Sequence, residues 1–257
     1  MDVILSAKHH LYVQSVGEGS PTILLLHGWA VSGRIWERFL ERWPKDGGRL
    51  LVPDLRGTGW SAKPRHSYSL DDYASDVVQL IDQFGLSNLV LVGHDMGGTI
   101  AMRVALERPQ ALSRLALVAP IPPSGMAMLE PDVALYRSLG GHKQGMEQLL
   151  GMMMAHRPPP ALFERLVADT ASVALEAFLG GFDAFRTAAF ADRVGAIRVK
   201  TVVLGGEADL QLPPAVLQAQ VAARIPGATF VLIPGVGHYP QVEAPAEFAG
   251  LLRQHIA

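Results

Sequence analysis

A single carboxylate stands inside a short glycine-rich stretch, Gly-His-Asp-Met-Gly-Gly, at residues 93–98. A carboxylate that attacks an ester carbonyl forms a high-energy anhydride. When it attacks a saturated carbon that carries a leaving group, it forms a stable alkyl ester that water can later hydrolyse. If Asp95 is catalytic, its residue type therefore favours displacement at a saturated carbon over ordinary ester hydrolysis.

The elements on either side of Asp95 explain how it could be presented to a substrate. The apolar run NLVLVG at 88–93 predicts a strand, and DMGGTIAMRVALE at 95–107 predicts a helix. The tight turn between them needs small residues, because residue 95 must take a strained conformation while the helix begins directly beneath it. A helix N-terminus also directs unpaired N–H groups towards an anion. We therefore expect Asp95 to be ionised and nucleophilic.

The rest of the chain alternates short apolar runs with segments of helical period, which is typical of an α/β fold with a mostly parallel central sheet covered by helices on both faces. One helix is predicted from Leu70 to Phe84, with Ser69 as its N-terminal cap. The predicted strands are Leu11–Val16, Thr22–Leu26, Leu50–Val52, Leu89–Val92, Leu115–Val118, Val199–Leu204 and Thr229–Ile233.

The strand pattern stops between residues 120 and 190, where the sequence predicts a mostly helical lid. Residues 1–119 and 191–257 then form one core domain, and 120–190 form a cap inserted into it. The lid contains the run GMMMA at 151–155, whose flexible side chains suit either packing against the main domain or the wall of an apolar pocket.

Composition narrows the class of partner. The 257 residues carry 22 Lys and Arg against 24 Asp and Glu, a net charge of −2, and no basic block that would select nucleic acid or an anionic membrane. The chain has no cysteine, which excludes disulfides and thiolate chemistry. No signal peptide or membrane span is evident, and no metal-ligand spacing is present. We expect a cytoplasmic monomer or homodimer that acts on a small molecule without a cofactor.

Five motifs occur in a fixed order along the chain: HGWAVSGRIW at 27–36, VPDLRGTGWS at 52–61, GHDMGG at 93–98, GGEADLQLPP at 205–214 and GVGHYPQVEAP at 235–245. In these motifs the chain resembles the α/β-hydrolase fold family, over nearly its whole length. The order of nucleophile, acid and histidine matches that family. The resemblance implies a helical lid inserted after the sixth strand.

The resemblance also implies a role for each motif. Asp95 takes the position of the nucleophile, His238 that of the base, and Asp209 that of the acid that orients His238. Glu207 is the competing acid in the same loop. Backbone N–H groups of Trp29 and Met96 would form the oxyanion hole.

Three further polar residues in these motifs are expected to be structural. His27 and Asp54 are expected to shape their loops, and His94 to pack and form hydrogen bonds beside the nucleophile. None of the three is predicted to be catalytic.

Within the family, a chain with an Asp nucleophile resembles the epoxide hydrolases and the haloalkane and haloacetate dehalogenases. Epoxide hydrolases have an aromatic residue after His-Gly, here Trp29, and protonate the leaving oxygen with lid tyrosines, of which this chain offers only Tyr136. Haloalkane dehalogenases usually place a tryptophan after the nucleophile, where this chain has Met96. We therefore predict an enzyme that opens small apolar epoxides to diols, with Tyr136 as proton donor.

The predicted substrate pocket is formed by Trp29, Met96, Tyr136 and Met153. Three alternatives stay open: a haloalkane or haloacetate dehalogenase, a relative of the esterases and lactonases with altered chemistry, and a ligand-binding module without activity. The intact pair of Asp209 and His238 argues against the binding module, because binding alone does not require a base and a group that orients it.

Overall fold

The computed structural model describes residues 1–6 and 9–256, and its centre is an eight-stranded sheet. The strand order is β1-β2-β4-β3-β5-β6-β7-β8. β1 and β2 are antiparallel to their neighbours, and the strands from β4 to β8 pair in parallel. The strands are β1 (Asp2–Ser6), β2 (His9–Val16), β3 (Thr22–Leu26), β4 (Arg49–Pro53), β5 (Leu89–His94), β6 (Leu112–Val118), β7 (Lys200–Gly206) and β8 (Thr229–Ile233).

Central strands of this sheet are apolar throughout because both of their faces are covered. In β3, Leu24 and Leu26 belong to one hydrophobic cluster, whereas Ile23 and Leu25 belong to the cluster on the opposite face of the sheet. Successive side chains of a strand point to opposite faces, so this run buries all four side chains. The predicted α/β class with a mostly parallel sheet is confirmed.

Six of the seven predicted strands lie within observed ones, and Val199 precedes the observed start of β7 by one residue. The sequence reading missed β1, which pairs along the edge of the sheet with β2. Counting β1, six strands precede the lid region.

Ten α-helices occur among the described residues: α1 (Glu37–Leu40), α2 (Leu70–Gln83), α3 (Met96–Glu107), α4 (Glu130–Ser138), α5 (Lys143–Met153), α6 (Pro160–Ala171), α7 (Leu175–Arg186), α8 (Pro214–Gln220), α9 (Pro240–Glu243) and α10 (Pro245–Ile256). The predicted cap of α2 is present as a reciprocal pair, since the Ser69 hydroxyl accepts from the Asp72 N–H and the Asp72 carboxylate accepts from the Ser69 N–H. None of the described helices is long and apolar enough to cross a membrane.

Helices α4 to α7 lie between β6 and β7, in the segment where the sequence predicts a lid. Phe178 and Phe182 of α7 are fully buried in the same hydrophobic cluster as Leu24 of the sheet. These helices therefore pack on the core through apolar side chains. The division into a core at 1–119 and 191–257 and a cap at 120–190 stays a prediction.

Candidate active site

The turn between β5 and α3 holds Asp95 in a strained conformation. Its backbone has φ 53° and ψ −122°, a region that costs a residue other than glycine about 1–3 kcal/mol. Close backbone contacts hold the turn: a Cβ added to Gly93 would lie 2.2 Å from the Gly97 carbonyl oxygen, and one added to Gly97 would lie 2.4 Å from that of His27. The glycines of the motif are thus required by close packing, and they force Asp95 to project from the end of β5.

Two backbone N–H groups face the Asp95 carboxylate. The N–H of Trp29 donates to Oδ2 over 2.7 Å, and the N–H of Met96, the first residue of α3, also interacts with the carboxylate. Burial opposes ionisation of Asp95, but His238, His94 and the Met96 N–H outweigh it and hold the pKa below its usual value. The two N–H groups predicted to form an oxyanion hole therefore bind the carboxylate of Asp95 itself.

The structure brings Asp95, His238 and Asp209 together. His238 Nδ1 lies 2.8 Å from Asp209 Oδ2, and His238 Nε2 lies 3.6 Å from Asp95 Oδ1. Burial opposes the charge on His238, but the two carboxylates overcome this effect and raise its pKa to about 10. His238 is therefore an imidazolium at neutral pH, with a carboxylate on either side.

Asp209, rather than Glu207, contacts the histidine. Its second oxygen, Oδ1, accepts from the N–H groups of Gln211 at 2.9 Å and Leu212 at 3.0 Å. The Glu207 carboxylate instead accepts from the N–H of Gly235 at an exposed position. The loop after β7 thus holds Asp209 in one orientation, with one oxygen on the loop and the other on His238.

Three polar residues near the site have structural contacts. His27 Nε2 accepts from the Leu55 N–H over 2.9 Å, and Asp54 accepts from two N–H groups of its own and the neighbouring loop. His94 donates from Nε2 to the carbonyl of His238 over 2.8 Å. Burial, reinforced by the charge of His238, lowers the pKa of His94 to about 4, so His94 is neutral.

A small apolar cavity opens onto Asp95 and His238. Its volume is about 50 Å³, far below the roughly 300–1,000 Å³ typical of ligand pockets. A substrate is therefore either small or displaces the lid helices. The cavity is lined by Trp29, Asp95, Ile121, Met126, Met128, Tyr136, Met153, Phe182, Phe185, Gln211, Leu212 and His238.

Three of the four predicted pocket residues, Trp29, Tyr136 and Met153, line this cavity. The prediction for the Met96 side chain needs correction. It is 3% exposed and packs towards α7, with its sulfur 3.6 Å from the position a Cβ on Gly181 would take. Since Met96 begins α3 beneath the turn, its backbone N–H faces Asp95 while its side chain fills the interface with the lid.

The indole of Trp29 contributes its ring to the cavity wall, but its N–H is already engaged. Trp29 Nε1 donates to the carbonyl of Phe178 over 2.7 Å, and the ring contacts Phe178 and Phe182 with centroid distances of 4.5 and 5.4 Å. This hydrogen bond fixes the loop at residues 27–36, here called the oxyanion loop, to α7. It also withdraws the indole N–H from any leaving group in the cavity.

Gln211 is a cavity residue that the sequence reading missed. It follows Asp209 by two positions in the motif at residues 205–214, here called the acid loop, and its Oε1 accepts from the hydroxyl of Tyr136 over 2.6 Å. The position of Gln211 two residues after Asp209 is the sequence feature that could predict its place in the site. Tyr136 and Gln211 place a hydroxyl and an amide in an otherwise apolar wall.

The arrangement provides a carboxylate with one oxygen held by the Trp29 N–H, with the Met96 N–H also facing the group, and with the other oxygen facing an imidazole that a second carboxylate orients. Such a site can form a bond from the free oxygen to carbon and then stabilise negative charge on the held oxygen. Among the described residues, no group of three or more His, Cys, Asp or Glu side chains is placed to hold a metal ion.

Comparison with known proteins gives several similar chains. The non-heme haloperoxidase of Rhodococcus erythropolis is 26% identical and covers 92% of both chains. Epoxide hydrolase 4 of Mus musculus is 38% identical, but over only 42% of this chain and 30% of that protein. The solved structure of Est816, described as an N-acyl homoserine lactone degrading enzyme, superposes with a TM-score of 0.85 at 30% identity and covers 99% of both chains.

Residues 23–251 match the family model described as the Alpha/beta hydrolase family. This match covers the turn with Asp95, the acid loop and the loop at residues 235–245 that carries His238. The protein therefore belongs to the alpha/beta hydrolase family.

Proposed function

We propose that the protein hydrolyses small apolar epoxides to diols through a covalent ester on Asp95. The observation that carries this proposal is the hydrogen bond from the Trp29 N–H to Asp95 Oδ2, which leaves Oδ1, 3.6 Å from His238 Nε2, as the oxygen to attack carbon. A substrate oxygen cannot occupy the same hole while Oδ2 is bound there. This arrangement supports Asp95 as the group that becomes esterified.

In the first step, Asp95 Oδ1 attacks a ring carbon of the epoxide, and the bond from that carbon to the ring oxygen breaks. The ring oxygen takes the hydroxyl proton of Tyr136, which becomes a phenolate. The products of the step are a hydroxyalkyl ester on Asp95 and a deprotonated Tyr136. A phenol suits this transfer because its ordinary pKa near 10 lies between those of water and a carboxylic acid.

In the second step, water attacks the carbonyl carbon of the ester. Once the charge of Asp95 is lost in the ester, His238 releases one of its two protons to solvent and then accepts a proton from this water, and the N–H groups of Trp29 and Met96 stabilise the oxyanion that forms on Asp95 Oδ2. As the intermediate collapses, its hydroxyl proton passes to the leaving alkoxide, which gives the diol and restores the Asp95 carboxylate. The Tyr136 phenolate then takes a proton from solvent. Overall, one epoxide and one water give one diol, with every group restored.

The donors in the cavity support an epoxide over an alkyl halide. Halide leaves as an anion that needs desolvated N–H donors and no proton, whereas an opening epoxide needs a proton. Of the described residues that line the cavity, Tyr136 carries a phenol, and the indole N–H of Trp29 is bound to Phe178. The Tyr136 phenol, beside an indole N–H that already has a partner, supports proton donation to an epoxide oxygen better than binding of a departing halide.

A lactone is the second candidate substrate, because the chain is 30% identical to Est816 across 99% of both chains. Attack by Asp95 on a lactone carbonyl would give an anhydride, so turnover would require His238 to activate water directly. That reaction would leave no ester on Asp95.

The test is to incubate the protein with panels of small epoxides, alkyl halides and lactones, and to measure products and the intact protein mass. Diol formation with a transient mass increase equal to that of the epoxide supports the proposal. Halide release without diol formation would favour the dehalogenase. Lactone hydrolysis without any mass increase would favour water activation by His238.

A further inference from the structure

The phenol of Tyr136 and the side-chain amide of Gln211 form one hydrogen-bonded pair on the cavity wall. Tyr136 lies in α4, and Gln211 lies in the loop that carries Asp209. The hydroxyl donates to Oε1 over 2.6 Å, while the backbone N–H of Gln211 donates to Asp209 over 2.9 Å. Gln211 thus binds Asp209 through its backbone N–H and Tyr136 through its side-chain amide.

We propose that Gln211 is a positioning residue that supplies the hydrogen bond a second lid phenol would otherwise provide, first accepting from the Tyr136 hydroxyl and then donating to the Tyr136 phenolate. The inference rests on the proposed function, since it concerns the proton that opens the epoxide. A half-turn of the amide about its last side-chain bond exchanges Oε1 and Nε2 at nearly the same position. The amide can therefore serve both protonation states of the phenol.

The proton balance of the step requires both states. Before reaction, the Tyr136 proton lies on the bond to Gln211 Oε1. During opening, the proton moves to the ring oxygen of the epoxide, and the phenolate left behind accepts a hydrogen bond from Gln211 Nε2. After ester hydrolysis the phenolate regains a proton, and the amide turns back.

The surroundings of Tyr136 make such a donor necessary. Burial raises the pKa of Tyr136, and the hydrogen bond to Gln211 acts in the opposite direction. The charges of Asp132 on the same helix and of Asp95 across the cavity add to the increase, and His238 also lines the cavity. Without Gln211, the phenolate would lack this hydrogen bond and would face mainly Met and Phe side chains, which disfavours its formation even with the His238 imidazolium in the same cavity.

The kinetic test uses the His238→Gln background, in which ester formation can be followed as a gain of protein mass. Gln211→Leu should slow epoxide opening by roughly 10-fold or more, about the effect of one hydrogen bond to a charged group, with little change in the epoxide concentration that gives half the maximal rate of ester formation. Gln211→Glu should not restore the rate, because a carboxylate can accept from the phenol but cannot donate to the phenolate. Restoration by Gln211→Glu would overturn the donor role.

A matched control removes the same kind of hydrogen bond away from the cavity. The Ser124 hydroxyl donates to Gln220 Oε1 over 3.0 Å at an exposed position on α8. Gln220→Leu should leave epoxide opening unchanged. A thermal melt of each variant distinguishes loss of the fold from loss of the step.

A spectroscopic test reads the phenol without any substrate. The five tyrosines of the chain can be replaced by 3-fluorotyrosine, and the ¹⁹F resonance of residue 136 identified from its loss in Tyr136→Phe. Gln211→Leu should move the titration of this resonance to higher pH, and Gln211→Glu should move it further because of its charge. An unchanged midpoint in Gln211→Leu would overturn the proposed pairing.

Different results would contradict the proposed function and the proposed role of Gln211. A wild type that opens no epoxide overturns the proposed function, and with it the donor role of Gln211. A wild type that opens epoxides, with Gln211→Leu at the same rate, overturns the role of Gln211 alone and leaves the covalent mechanism standing.

Discussion

The backbone N–H of Trp29 donates to Oδ2 of Asp95 over 2.7 Å, so the oxyanion loop binds the carboxylate itself. In an acyl-transfer site this donor would wait for the oxygen of a substrate carbonyl. Here it already holds Oδ2, which in the proposed mechanism becomes the carbonyl oxygen of an Asp95 ester. The negative charge that the hole stabilises therefore develops on the protein during hydrolysis of that ester.

Replacement of the candidate base should separate ester formation from ester hydrolysis. His238→Gln removes the group that activates water but leaves Asp95 Oδ2 bound to the Trp29 N–H. The protein should gain the mass of one epoxide and keep it, and a peptide map should locate the gain on Asp95. Multiple turnovers by this variant would show that another group activates water.

The acid loop offers two carboxylates, which allows a matched comparison. Asp209→Asn should lower turnover by roughly 10³–10⁴-fold, because an amide in this position cannot stabilise the imidazolium and favours the wrong tautomer. Glu207→Gln should have little effect, since Glu207 accepts from the Gly235 N–H at an exposed site. Steady-state kinetics on both variants checks the ranking, and a larger loss in Glu207→Gln would contradict the assignment.

The sequence predicts the central cluster because each member belongs to a loop whose backbone shape is fixed locally. The glycines around Asp95 are required because a Cβ at Gly93 or Gly97 would lie only 2.2 or 2.4 Å from a backbone oxygen, and two N–H groups of its own loop orient Asp209. Local sequence thus determines where these side chains point. The fold then brings the loops together at the carboxyl ends of parallel strands.

The sequence does not predict correctly the features that depend on partners far along the chain. Gln211 gains its place in the cavity from Tyr136, 75 residues away, and a glutamine in a loop has no distinctive chemistry of its own. The sequence predicts the Met96 side chain in the pocket, but the direction of this side chain depends on how α7 packs on α3. β1 is a short edge strand whose pairing with β2 is not marked by a buried apolar run.

The leaving-group donor can be tested by removing one hydroxyl. Tyr136→Phe should lower epoxide turnover by roughly 10²-fold or more, the usual range for one general acid. Turnover of any alkyl halide should stay nearly unchanged, because halide needs no proton. Parallel kinetics on both substrate classes tests this difference, and opening of epoxides at the wild-type rate would place the proton donor elsewhere.

Gly28 provides a test of the contact between the oxyanion loop and Asp95. A Cβ at this position would lie 2.6 Å from Asp95 Oδ2 and 2.7 Å from Asp95 Cβ, which forces the carboxylate away from the Trp29 N–H. Gly28→Ala should therefore abolish ester formation. Gly250→Ala in α10 meets nothing within 4 Å and should keep activity and raise helix stability slightly. Ester formation measured by intact mass distinguishes the two, and an active Gly28→Ala would show that the Oδ2 contact is dispensable.

His238 is charged at rest and is nevertheless proposed to act as a base. Asp209 and Asp95 both raise the pKa of His238, to about 10 together, so the resting imidazole holds two protons at neutral pH. Esterification converts Asp95 from an anion into a neutral group. One of the two charges that favour the imidazolium is then lost, while burial, which disfavours it, remains. Formation of the ester should thus itself make His238 easier to deprotonate, at the moment when a base is needed.

Asp95→Asn reproduces this change of charge without substrate, since an amide is neutral and similar in shape to the carboxylate. The midpoint of the His238 titration should fall from about 10 in the wild type to a lower pH in the variant, because a raised pKa moves back towards 6.5 when a neighbouring anion is removed. The ¹⁵N chemical shifts of the imidazole nitrogens, assigned by comparison with His238→Gln, report this midpoint directly. Glu207→Gln serves as the control, since it removes a charge from the same loop without removing a contact to His238. An unchanged midpoint in Asp95→Asn would mean that Asp209 alone controls the protonation of His238, and that the ester does not release the base.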